Sequence, residues 1–180
     1  MLKKLILSIA TMVCLTNIAA CSPNPTWTEE VKLNDGRVIV VEQKRRLEQG
    51  IPREAWVTIK LPEFSASPIV WNEKLTPSIL NIDGGKLYMV GEPPTGRETD
   101  LYGCPEHGYV GFIWDNEKWK RIPFGQIPEH VYDVNMLLDT VPPKGIEFLT
   151  LDRKAAPDLN GDGRYHALLR LLPTRGDGCR

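Results

Sequence analysis

From position 158 the chain reads Asp158-Leu159-Asn160-Gly161-Asp162-Gly163-Arg164, with an oxygen-bearing side chain at every second residue. Three such oxygens, from Asp158, Asn160 and Asp162, and the backbone carbonyl of Arg164 are a donor set for a hard cation, and Gly163 permits the sharp bend that wraps the chain around it. The ion this chemistry predicts is Ca2+, weakly held. The same residue types equally make a plain tight turn, because Asn, Asp and Gly tolerate the backbone conformations that turns demand. Both readings stay open.

Other chemistry is sparse. Cys104-Pro105-Glu106-His107 has a C-x-x-H spacing that suits zinc, but Cys179, His130 and His166 would have to complete it from far along the chain. The sequence holds no G-x-S-x-G elbow, no H-E-x-x-H, no phosphate-binding loop and no C-x-x-C pair. The seven residues from Asp158 resemble the start of the calcium loop of EF-hands and dockerins. Asp158, Asn160, Asp162 and Gly163 match its first, third, fifth and sixth positions, while Leu169 departs from the acid at the twelfth.

The leader is more specific. Lys3-Lys4, an apolar run from Leu5 to Leu15 and Ile18-Ala19-Ala20-Cys21 follow the order of an export signal: positive, apolar, small. The apolar run is too short for a membrane span, which needs about 20 such residues, and Ser22-Pro23-Asn24-Pro25 stops any helix. Ile18-Ala19-Ala20-Cys21 resembles the bacterial lipoprotein box, with Ile in the place where Leu is commonest. The resemblance implies acylation of the Cys21 thiol, cleavage before it and acylation of the new amino terminus, which together give a firm membrane anchor. Ser22 in place of Asp implies the outer membrane in a Gram-negative cell. The predicted organisation is a signal peptide over 1–20, a short tether over 21–26 and a single domain over 27–180.

Cleavage removes Lys3 and Lys4 and leaves 20 basic against 23 acidic side chains over 160 residues. A nucleic-acid partner is excluded on this balance, since phosphate binding relies on an excess of positive charge. The dense basic run Lys44-Arg45-Arg46 is flanked by Glu42 and Glu48 and reads as a solvated strand end or turn. With Cys14 lost and Cys21 lipidated, Cys104 and Cys179 remain, and two exported thiols usually pair. Such a bond would close about 75 residues and contribute roughly 4 kcal/mol by the chain-entropy argument.

These groups must be positioned by strands. Period-two alternation broken by turn residues dominates from Trp27 onward. Glu30–Leu33 and Arg37–Val41 flank Asn34-Asp35-Gly36; Ser78–Ile82 and Lys86–Val90 flank Asp83-Gly84-Gly85; Tyr109–Trp114 and Trp119–Phe124 flank Asp115–Lys118. Each reads as a hairpin, because Asp-Gly and Gly-Gly supply the positive φ of tight turns. Ala55–Leu61 and Ile146–Leu151 read as further strands. Pro128–Leu138 reads as a short helix, with Pro and an acid in its first turn, and Gln43–Gly50 as a second candidate. In the third hairpin Val110, Phe112 and Trp114 share one face and Tyr109, Gly111 and Ile113 the other, so both faces need cover. Fifteen prolines and fifteen glycines spread along the chain exclude a helical bundle. The expected fold is mainly β, a single antiparallel β-sandwich or open-barrel-like domain with one or two short helices.

Tyr102–Pro105, Tyr109–Trp114 and Trp119–Phe124, behind the Asp35-Gly36-Arg37 turn, are similar to small uncharacterised proteobacterial lipoproteins. That resemblance implies address and size and brings no activity. The expectation is a non-enzymatic, lipid-anchored envelope protein that binds an envelope protein or glycan near the membrane; the alternative is a small envelope hydrolase or metal-dependent enzyme.

Overall fold

The computed structural model describes residues 24–137 and 141–160. Among the described residues nine strands form two sheets: β1 (Thr26–Lys32), β2 (Val38–Glu48), β3 (Ile51–Ile59), β4 (Ile69–Glu73), β5 (Thr76–Asp83), β6 (Lys86–Glu92), β7 (Val110–Asp115), β8 (Lys118–Ile122) and β9 (Phe148–Leu149). The first sheet has the order β4-β3-β2-β1-β9 and the second β5-β6-β7-β8. Every pairing is antiparallel except that of β9 with β1. The chain changes sheet at Lys74-Leu75, and the described residues form a mainly β, sandwich-like domain in which neither sheet closes into a barrel.

All three expected hairpins form. Asp83 pairs with Lys86 across Gly84 and Gly85, whose φ values of 53° and 72° lie where only glycine is unstrained. Alternation then sets the core. Val31, Val41, Val57, Ile59 and Trp71 of the first sheet meet Leu80, Leu87, Met89, Val110 and Phe112 of the second. The opposite face of the second sheet is covered too, by Phe124, Ile127, Val131, Tyr132 and Val134, which pack on Ile79, Tyr88, Val90 and Tyr109. The two-faced apolar pattern of the third hairpin thus has its physical cause in a second layer laid down by the chain after β8.

Three expectations need correction. Gln43–Gly50 is strand, not helix: β2 runs through it to Glu48, with Gln43 and Arg45 on the core-facing side. Polar groups at inward positions mask the strand alternation, and they are tolerated there because they bond one another. Pro128–Leu138 is not a helix over its described part. A single 3-10 turn at Glu129–Val131 is followed by irregular chain, because Val134, Met136 and Leu137 enter three different apolar clusters and one helical stripe faces only one. Ile146–Leu151 yields only the two residues of β9, and helix α2 (Leu151–Ala155) starts where Thr150 accepts the Arg153 N–H at 3.1 Å. Helix α1 (Gly96–Leu101) and strand β4 lack a sequence expectation, and helix α3 (Pro157–Asn160) stands where the calcium loop or tight turn was expected to begin at Asp158.

Candidate binding cleft

Charged and amide groups that are normally exposed meet inside the domain beside β1. Glu29, Gln43 and Arg45 are fully buried and Lys154 is 3% exposed. The Gln43 amide donates to Glu29 Oε1, and Arg45 Nη2 donates to Gln43 Oε1 at 3.0 Å. Glu29 Oε2 accepts the Leu137 N–H at 3.0 Å and lies 3.3 Å from Lys154 Nζ, which also donates to the Asn135 carbonyl at 2.6 Å. Burial pushes the Lys154 ammonium pKa down and Glu29 opposes it. This network ties α2 and the chain at 135–137 to the inner face of the first sheet.

Asn135 joins the two sheets. Its Oδ1 accepts the Leu80 N–H at 3.0 Å, and its Nδ2 donates to the Leu80 carbonyl at 2.7 Å and to the Lys32 carbonyl at 2.9 Å. Its carboxamide therefore stands in for a strand neighbour on the free edge of β5. Open edges invite pairing with foreign chains, and here one side chain and the Asn34–Asn81 contact at 2.7 Å occupy the edge.

These elements frame a cleft of about 630 Å³. Leu33, Val134 and Leu151 give it an apolar floor, while Lys32, Asp133 and Asp152 stand exposed at its rim. Among the described residues its lining has no serine, threonine, cysteine, histidine or aromatic residue. Such a site can hold a chain by hydrogen bonds, charge and apolar contact.

Of the residues singled out from sequence, the described ones do not line this cleft. Cys21, Cys179, Asp162 and Arg164 lie outside the described residues, as do His166 and Leu169. Cys104 is exposed, at a φ of 56° just after α1. Asp158 sits in α3, and both its oxygens accept from Arg153 at 2.5 Å, which holds its carboxyl below the usual carboxylate range. A cation at Asp158 would compete with that guanidinium. Asn160 ends α3. Among the described residues no three His, Cys, Asp or Glu side chains group to hold a metal. His107 lies edge-on to Phe124 at 5.9 Å, and His130 Nε2 is 2.6 Å from Asp83 Oδ1.

The tryptophans are mainly structural. Trp27 and Trp71 are buried, Trp114 and Trp119 meet edge to face at 5.3 Å against the core, and Trp56 lies under Lys44 on the outer face of the first sheet. A polar pair not legible in the sequence joins Tyr102 to Glu73: the hydroxyl donates to Glu73 Oε2 at 2.7 Å and accepts the Lys74 N–H at 3.0 Å. Burial raises the pKa of both groups. Comparison with known protein families, characterised proteins and solved structures finds no match to this chain.

Proposed function

We propose that this chain is a non-enzymatic envelope protein, anchored by lipid on Cys21, that holds an extended segment of a protein partner in the cleft. The observation that supports this reading is the relation of the cleft to the tether. The tether leads into Thr26 at one end of β1, and Lys32, at the other end, lines the cleft. Seven residues of strand separate the two by about 20 Å, so an anchored domain would hold its cleft away from the bilayer. A protein segment fits better than a glycan, because the lining has an apolar floor and a charged rim of Lys32, Asp133 and Asp152 but, among the described residues, no aromatic ring on which a sugar would stack. In a Gram-negative cell the expected address is the outer membrane.

Charge reversal tests the reading. Asp133→Lys with Asp152→Lys should impair the cellular role at an unchanged melting temperature, since both side chains are exposed and complementarity governs partner choice. Single substitutions of His107, His130 and His166 should leave that role intact. One histidine substitution that abolishes the role without lowering the melting temperature would favour the enzyme instead.

A further inference from the structure

The β2–β3 hairpin overhangs the rest of its sheet at the end where the tether enters. Pro25 is the last residue held beside it, its carbonyl accepting the Arg45 N–H at 3.0 Å. Beyond that register β2 continues without β1 to Glu48, turns at Gln49 and Gly50 with φ of 53° and 80°, and returns from Ile51. Strand rise makes this overhang about 13 Å. The four residues from Pro25 back to Cys21 span at most about 14 Å. The two lengths nearly cancel.

From this match we infer that the hairpin tip, Glu48 to Ile51, rests on the lipid surface that holds the Cys21 acyl chains. The inference rests on lipidation at Cys21. The chemistry of that end suits the headgroup boundary. Ile51 is 36% exposed at the tip, and Leu101, 58% exposed, projects from α1. Helix α1 is held at the same end because Arg53 bonds both Glu98 and Glu48 at 3.0 Å and Arg97 lies 3.6 Å from Glu48. Lys44 and Arg46 lie on the outer side of the arm, Lys44 over the Trp56 ring and Arg46 paired with Glu54 at 3.2 Å, and both keep exposed surface that anionic headgroups would meet. Small apolar tips enter the headgroup and acyl boundary while cations stay at phosphate level. Two attachments, acyl chains and tip, would fix the tilt of the domain and so the direction in which the cleft faces.

Tryptophan placed at each end of the first sheet tests this in the full lipidated protein, reconstituted in vesicles of phosphatidylcholine and phosphatidylglycerol with brominated acyl chains. Ile51→Trp should show blue-shifted emission that the bromines quench, whereas Asp35→Trp, at the opposite turn, should be indistinguishable from wild type in quenching. Leu101→Trp on α1 provides the same reading should Ile51→Trp lower the melting temperature. Protein that floats with the vesicles while both proximal tryptophans stay unquenched overturns the tip contact and leaves the anchor standing. Protein that does not float, with Cys21 shown unmodified by mass, overturns the anchor and the tip contact together.

Discussion

At the scale of single residues, polar side chains in this domain do the work of backbone. Asn135 supplies one acceptor and two donations that a neighbouring strand would otherwise provide. Asn135→Ala leaves the Leu80 N–H and carbonyl without those partners and should lower the unfolding free energy by about 2 kcal/mol in urea titrations. Asn135→Asp keeps the acceptor for the Leu80 N–H but sets a carboxylate oxygen against the Leu80 and Lys32 carbonyls, so it should destabilise at least as much, and less at low pH where the acid is protonated. A second residue sets a pH dependence. Burial raises the Glu73 pKa in the folded state, against the opposing pull of the Tyr102 hydroxyl and Arg121. The folded protein therefore holds a proton on Glu73 after the unfolded chain has released it, so stability falls as pH rises through and just above the ordinary glutamate range. Glu73→Gln should remove that fall, which thermal melts at a series of pH values would reveal. The residues that sequence brought forward for metal chemistry fare differently: Asp158 is committed to Arg153, and Asp162 and Arg164 lie outside the described residues.

Among the secondary-structure elements, packing decides which glycines matter. A Cβ on Gly91 of β6 would stand 2.9 Å from Leu75 Cβ and 3.2 Å from both the Trp71 ring and the Thr76 carbonyl, at the corner where the chain changes sheet. Gly91→Ala should cost about 1 to 3 kcal/mol by overpacking. Gly125 has nothing within 4 Å of a built Cβ and no positive φ, so Gly125→Ala should be neutral or stabilise by about 0.4 to 1 kcal/mol. Paired urea titrations check the contrast. The three hairpins were legible because Asp35-Gly36, Asp83-Gly84-Gly85 and the alternation around Asp115 are local signals. The second half of β2 was not, because Gln43 and Arg45 point inward for reasons that lie in Glu29, Lys154 and Leu137, distant in sequence. Residues 128–137 misled for a related reason: apolar side chains at 131, 132, 134, 136 and 137 answer to separate clusters and carry no single period. The cleft was illegible altogether, since it assembles Lys32, Asp133 and Asp152 from three parts of the chain.

In the molecule as a whole, the proposed lipid anchor lies toward one end of β1 and the proposed binding cleft at the other. The expectation of an anchor comes from the leader, and tertiary packing creates the cleft. Removing the thiol at the anchor should separate them: Cys21→Ala should leave a chain that is unprocessed or lost from membranes, by fractionation, while its folded domain keeps the same melting temperature. The exported pair Cys104 and Cys179 should resist alkylation until reductant is added, and free labelling of both would reopen the zinc reading. The central claim, that the cleft holds a protein partner, is tested most directly by photo-crosslinking in living cells with a photoreactive amino acid at Asp133 or Asp152, compared with Thr58 on the outer face of the first sheet. The account predicts one discrete crosslinked protein species from both cleft positions and none from Thr58. Crosslinks that are equal at all three positions, or absent from the cleft while the protein is folded and anchored, would contradict it.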